Sequence, residues 1–322
     1  MNILFTSSGR RVSLIKLFKE TLMEQFPSGK ILTADLKETA PTAFYSDKHF
    51  VVPSVVEENY IDEIIKICLE GDIKLVIPLI DTELGIMASN RHRFDNIGVK
   101  LLVSSYEVNK IANNKIETYK FFKQNLISSP KVYSEEEIKK GDFTFPLLVK
   151  PNNGSASKGV TKINNKEELE FFKDYIPNAI VQEFINGDEY TVDVMVDFNG
   201  KVKTIVPRKR IETRAGEVSK GVTNKDFEII NAVENVVNKL PGPVGCITLQ
   251  CFKEKDGEIK FIEINPRFGG GIPLSINAGA NFPLWTIEIC QGISFKVMDF
   301  SWKENLTMLR FDEEIYTEKI IS

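Results

Sequence analysis

Three oxygen-bearing side chains and an arginine stand close together in VGCITLQCFKEKDGEIKFIEINPRFGGG, residues 244 to 271. The segment reads as two apolar-alternating strands joined at Asp256-Gly257. That dipeptide suits a two-residue hairpin loop, whose central residues must both reach positive φ. Lys255 then pairs with Glu258, and counting outward sets Gln250 opposite Glu263 and Thr248 opposite Asn265. Pleating keeps Glu263 and Asn265 on one face. Gln250, Glu263 and Asn265 converge on one patch, and Arg267 follows just past the strand end. Two amides and a carboxylate are the hard oxygen donors that Mg²⁺ prefers, with waters and phosphate oxygens as its other ligands. An arginine beside them suits a phosphoryl group or developing negative charge. Glycines such as Gly270 let backbone approach a ligand closely. The plainer alternative is a solvated polar hairpin face with a Gly-rich exit turn.

Two more stretches fit phosphate chemistry. Lys150 closes the apolar strand FTFPLLVKP, a costly place for a charge without a partner. Directly after it, NNGSASKGV supplies Gly154, Ser155, Ser157 and Gly159. Such a loop reads as a flap whose N–H groups and hydroxyls cover triphosphate oxygens, in preference to a plain hairpin loop. It is not a Walker loop, because the GxxxxGK[ST] spacing is absent. The stretch VPRKRIETRAGEVSKGVT has no clear period and reads as a strand running into a loop near phosphates and substrate. Arg214 is the second arginine expected to orient an acyl phosphate or a substrate carboxylate; a solvated loop arginine is the alternative. A tight hairpin at Asn199-Gly200 sets Glu189 opposite Arg210 and Thr191 opposite Arg208, so cross-strand charge pairing is open to both arginines.

EINPR after an apolar strand, with a glutamine on the preceding strand, resembles the metal-binding end of ATP-grasp enzymes. The flanks look most like the carbamoyl-phosphate-synthetase-large-subunit-like carboxylate–amine ligases of that superfamily. The resemblance implies ATP and one or two Mg²⁺ ions, with Mn²⁺ as a substitute. By residue, it implies that Lys115 and Lys150 bind phosphates and that Glu183 and Ile185 meet adenine, largely through backbone. Glu189 meets the ribose hydroxyls. Gln250, Glu263 and Asn265 hold metal, and Arg267 stabilises the transferring phosphoryl group. Gln250 departs from members that place a carboxylate there. The reaction implied is attack of a substrate carboxylate on the γ-phosphate, then attack of an amine on the acylphosphate to give an amide, ADP and phosphate. Small-molecule acid and amine partners follow, as does a homodimer, since dimers are common among the resembling enzymes. Carboxyphosphate chemistry and a non-catalytic ATP-binding regulator are the alternatives.

The elements that must position these groups are legible as alternating strand and helix patterns. NILFT, a helical VSLIKLFKETLMEQF, KILTAD, HFVVP, YIDEIIKICLE, KLVIPL and VKLLVS argue for a parallel sheet covered by helices. The expected class is α/β: a Rossmann-like pre-ATP-grasp domain over residues 1–105, then an ATP-grasp fold of two α+β subdomains clamping ATP, 106–182 and 183–322. The loop after the first strand offers Ser8, Gly9 and Arg10 as a substrate-carboxylate anchor at a helix N-terminus, with a simple capped helix start as the alternative. Arg208 and Gly270 are further substrate candidates.

Composition excludes other classes. The 322 residues are 42% hydrophobic and 27% charged with net charge −4, so no global basic field points to nucleic acid. No apolar run approaches the roughly 20 residues of a membrane span, and a cytoplasmic location is expected. Four cysteines without a CxxC pair read as buried thiols. Two histidines are too few for a histidine-rich metal site.

Overall fold

The computed structural model describes residues 1–154 and 159–318. Its first part runs β1 (Asn2–Thr6), α1 (Val12–Gln25), β2 (Lys30–Asp35), β3 (Lys48–Val51), α2 (Tyr60–Glu70), β4 (Ile73–Pro78), α3 (Asp81–Ser89), α4 (Arg91–Asp95) and β5 (Lys100–Leu101). The strands form a parallel sheet in the order β3-β2-β1-β4-β5. Alternation on β1 explains its two buried faces. Ile3 and Phe5 pack with α1, while Leu4 packs with α2 and α3. This is the Rossmann-like layer expected from the β-α-β pattern.

Next come α5 (Tyr106–Ala112), α6 (Lys115–Gln124), β6 (Val132–Tyr133), α7 (Glu135–Lys140), β7 (Leu147–Pro151), β8 (Thr161–Ile163), α8 (Lys166–Tyr175) and β9 (Ala179–Glu183). They give a small antiparallel sheet, β6-β9-β7-β8, with its own core around Leu147, Val149, Ile163 and Val181. The last part holds β10 (Gly187–Val196), β11 (Val202–Arg214), β12 (Glu217–Thr223), α9 (Phe227–Lys239), β13 (Gly245–Glu254), β14 (Ile259–Asn265), α10 (Ile272–Asn277), α11 (Phe282–Cys290) and β15 (Thr307–Leu309). Its sheet runs β14-β13-β10-β11-β12-β15. The apolar stripe of α9 (Ile229, Ile230, Val233, Val236, Val237) is fully buried in the core that includes this sheet.

Two packing details depart from the expected division. Residues 106–128, expected with the small sheet, pack on the large one: the Phe122 and Phe261 rings lie 6.0 Å apart, and Phe261 N donates to Ser128 O. The first and large sheets also share one core. A relay of edge and tilted ring contacts runs Phe5–Phe18–Phe268–Phe282–Trp285, at centroid distances of 5.0, 5.5, 6.5 and 5.8 Å. Each such pair contributes roughly 0.5–1.5 kcal/mol beyond its burial. Phe268, inside the relay, pins the backbone directly after Arg267.

The hairpins hold a correction. Only Gly257 of Asp256-Gly257 has positive φ, and Glu254 N bonds Glu258 O, so the loop has three residues rather than two. The register nevertheless returns to Gln250↔Glu263 and Thr248↔Asn265, because a bulge at Ile262 adds one residue to β14. The Asn199-Gly200 hairpin repeats this: Asp197 N bonds Lys201 O, and an irregularity beyond Val196 restores Thr191↔Arg208. A two-residue turn with both centres at positive φ occurs instead at Ala215-Gly216 (φ 49 and 78), where a loop was expected.

Candidate active site

A cleft of about 600 Å³ opens where the three sheets meet. Its floor is the polar face of the large sheet: Glu189 and Thr191 on β10, Arg208 and Arg210 on β11, Thr248 and Gln250 on β13, Glu263 and Asn265 on β14. The small sheet supplies Leu148 and Lys150, and the start of α3 supplies Asp81.

The expected convergence is present. Gln250 Nε2 donates to Glu263 Oε2 at 2.9 Å, and Arg210 Nη1 donates to Gln250 Oε1 at 3.2 Å. Arg210 Nε lies 3.3 Å from Glu189 Oε1. Burial pushes the Glu189 carboxyl up, with Arg210 opposing and Glu263 reinforcing the shift. Among the described residues no three His, Cys, Asp or Glu side chains gather as a metal site. Gln250, Glu263 and Asn265 instead offer one carboxylate and two amides, a set that fits Mg²⁺ when phosphate oxygens complete its shell.

Lys150 is only 7% exposed, and no hydrogen bond joins its Nζ to a described residue. Burial, then the neighbouring Lys115, pull its ammonium down to about 8, against Glu263. Lys115 Nζ donates to the carbonyls of Asn152 (3.3 Å) and Gly154 (3.0 Å), and burial lowers it too. Two lysines held this way, with Glu263 acting on both, suit an incoming anion.

Arg267 is already engaged. Its Nε and Nη2 donate to Asp81 Oδ1 and Oδ2 at 2.7 and 2.6 Å. Against burial, Asp81 raises its guanidinium. The pair joins the exit of β14 to the first turn of α3, so it is a clasp between two sheets as well as an aim for the arginine. Asp81→Asn is expected to lower stability by about 1–3 kcal/mol in urea unfolding. Unchanged stability in the variant would remove the clasp role of the pair.

Other expected residues lie elsewhere. Arg214 stands at the tip of the β11–β12 turn, mostly exposed and paired with Asp312, away from the cleft lining. Glu183 ends β9 with its carboxylate on Lys260 Nζ (2.8 Å) and Lys131 N (3.1 Å); neither it nor the buried Ile185 lines the cleft. Ser8 is buried against Thr42, Gly9 N donates to Asp35, and Arg10 is exposed; none of the three faces the cleft. Arg208 lines it but is bound into the floor. Its Nε and Nη2 donate to Asp193 at 2.7 and 3.0 Å, and Ser275 Oγ joins the same carboxylate at 2.6 Å. Gly154 borders the cleft, Gly159 packs on Pro151, and Ser155 and Ser157 fall outside the described residues.

Several lining residues escaped the sequence reading. Arg11, not Arg10, reaches the cleft, because Ser7 and Gly9 both take positive φ and rotate the loop. Glu217 sits opposite it at 3.3 Å. Ile262 is turned by its bulge onto the same side as Glu263, beside Phe252, which continues the Thr248–Gln250 alternation. Leu148, Val160, Phe252 and Ile262 together make an apolar wall. The glycines 269–271 are demanded by close approach. A Cβ at Gly270 would meet Arg11 Nη1 at 2.4 Å, and one at Gly271 would meet Arg208 Nη1 at 2.4 Å.

Comparison with known proteins bears on this geometry. Residues 3–102 match the PylC-like N-terminal domain and residues 112–271 the ATP-grasp domain. The chain is 25% identical over 232 residues to the carbamoyl phosphate synthase large chain of Thermoanaerobacter sp. (strain X514), covering 65% of this chain and 21% of that one. It is 28% identical over 185 residues to the D-alanine–D-alanine ligase of Fusobacterium nucleatum subsp. nucleatum, covering 53% and 62%. The matches thus span under two thirds of each relative. The fold is similar to the biotin carboxylase domain of Hydrogenobacter thermophilus 2-oxoglutarate carboxylase, solved with MgADP, ADP and bicarbonate. The TM-score is 0.72 at 17% identity, over 95% of this chain and 73% of that one.

Proposed function

Since the chain carries an ATP-grasp domain behind a PylC-like N-terminal domain, we propose that it is an ATP-dependent carboxylate–amine ligase acting on small metabolites. The observation that carries this reading is the meeting of Lys115, Lys150, Gln250, Glu263, Asn265 and Arg267 around one cleft. The site has charge to neutralise and align phosphates, and among the described residues its lining holds no serine, cysteine or histidine.

In this reading Lys115 and Lys150 take phosphate oxygens. The apolar wall of Leu148, Val160, Phe252 and Ile262 takes the base, and Glu189 takes the ribose. Glu263, Asn265 and Gln250 hold Mg²⁺, which when bound neutralises phosphate charge. Arg267, aimed by Asp81, faces the γ-phosphate as a substrate carboxylate attacks it. The carboxylate oxygen gains the phosphoryl group and ADP leaves. An amine then forms the C–N bond as phosphate leaves with the C–O electrons, and the amine loses a proton. Arg214 has no part in this scheme.

The test is ADP and phosphate release with Mg-ATP across a matrix of acids and amines, with product masses recorded. Release that needs both partners, and a new mass equal to their sum less water, is expected. ATP binding without release for any pair would overturn the ligase reading. Within an active pair, Arg267→Ala should lower kcat far more than ATP affinity.

A further inference from the structure

The geometry points to a second anion subsite past Arg267, in which Arg11 anchors a carboxylate that the reaction does not consume, carried by the amine substrate. This rests on the ligase reading for its place in the reaction, though not for its existence.

The cleft arginines differ in how they are satisfied. Arg267 has the Asp81 fork and Arg208 the Asp193 fork. Arg210 donates to Gln250, Thr191 and the Gly216 carbonyl. The Arg11 guanidinium makes no hydrogen bond to a described residue, and its one ion contact is Glu217 Oε1 at 3.3 Å, although the side chain is only 21% exposed. A guanidinium carries five N–H donors. With Glu217 the one carboxylate beside them, most of these donors face the cleft without an acceptor among the described residues and fit one that arrives with a ligand.

Glu217 does not neutralise the group. Its other oxygen, Oε2, accepts from Arg310 Nη1 at 2.9 Å. Two arginines share one carboxylate, and the cluster keeps one positive charge, the complement of a single carboxylate. Glu217 is the positioning residue that holds the fork toward the cleft. Gly270 leaves the space: any Cβ there would collide with Arg11 Nη1 and Glu217.

The order of charges places this subsite. Lys115 and Lys150 feel Glu263. Arg267 is acted on by both Glu263 and Glu217. Arg11 lines the same cleft from the loop after β1, beside Glu217 and Gly270, and Arg267 and Asp81 also act on it. The line runs from phosphates through the transferring group to Arg11. The carboxylate activated beside Arg267 is therefore not the one held by Arg11. Carried by the amine, that carboxylate makes the amine substrate an amino acid.

Titration calorimetry in the presence of Mg²⁺ and a non-hydrolysable ATP analogue tests this without turnover. The probes are the common L- and D-amino acids and their carboxamides. At least one amino acid should bind, and its carboxamide should bind roughly 30-fold more weakly. Arg11→Gln should bring the acid down to the level of the amide while leaving the nucleotide Kd within about twofold. Arg11→Lys, which keeps charge without the fork, should give an intermediate ratio. Absence of amino-acid binding, equal binding of acid and amide, or an unchanged ratio in both variants would overturn the subsite. Binding with this pattern, but no phosphate release for any acid–amine pair, would overturn the ligase reading and leave the subsite standing.

Discussion

Glu263→Gln should lower turnover by on the order of 10³-fold and leave the protein folded. Of the three proposed metal ligands it is the single carboxylate, so its removal leaves two neutral amides facing the cation. The substitution is nearly isosteric. Its amide oxygen still accepts from Gln250 Nε2, which holds the native side chain at 2.9 Å, so the melting temperature should move by no more than about 2 °C. The decisive readout is kcat as a function of Mg²⁺ concentration. Undiminished turnover at saturating Mg²⁺ would remove the metal assignment; a matching loss of melting temperature would make the effect one of folding.

Lys150→Met should have opposite effects on binding and on stability. The lysine enters the cleft from the small sheet with its ammonium pulled down to about 8 from an ordinary 10.5. Below pH 8 both folded and unfolded chains carry the proton, and the full desolvation cost is present. Between about 8 and 10.5 the unfolded chain binds more protons than the folded one, so this group makes stability rise with pH. At pH 7 the methionine variant should be more stable than the parent by about 2–3 kcal/mol, an advantage that fades above pH 10. Mg-ATP affinity should fall by roughly 10- to 100-fold for want of the charge. Phosphate oxygens should restore the proton, so nucleotide binding near pH 9 should take up close to one proton. Calorimetry in buffers of different ionisation enthalpy measures this. Equal uptake by parent and variant would assign the proton elsewhere, and a variant no more stable at pH 7 would mean that the native ammonium is not strained.

What the sequence made legible follows from how local each signal is. The convergence of Gln250, Glu263 and Asn265 was readable because strand pairing is counted in integers. Both hairpin loops are one residue longer than the dipeptides suggest, and each strand pair absorbs the extra residue by an irregularity further along, so the count at Gln250, Glu263, Glu189 and Thr191 came out unchanged. The same bulge is why Ile262 was missed: perfect alternation assigns it to the core face. Lys150 was legible from its apolar neighbours alone. Arg11 was not, since the choice between two adjacent arginines depends on the left-handed backbone at Ser7 and Gly9. Arg214 misled for a related reason. A turn that any X-Gly pair can make carried it to an exposed tip, and Ala-Gly is a weaker signal than Asn-Gly or Asp-Gly. The bidentate contact of Asp81 with Arg267 joins residues 186 positions apart, and no spacing rule reaches that far.

The glycine run at 269–271 is a tight joint. None of its members has a positive φ, so alanine would meet no backbone objection there. It would instead strike Thr248 from position 269, Arg11 and Glu217 from 270, and Arg208 and Val218 from 271. One of those groups, Arg11, belongs to the first sheet's loop; the others belong to the large sheet. A side chain at 270 would therefore push aside the ends of Arg11 and Glu217, one from each layer, at the point where both contribute to one cleft. Substitution there should damage the proposed Arg11 subsite before the proposed nucleotide end, although all three glycines sit in the same chain segment as the proposed metal ligands.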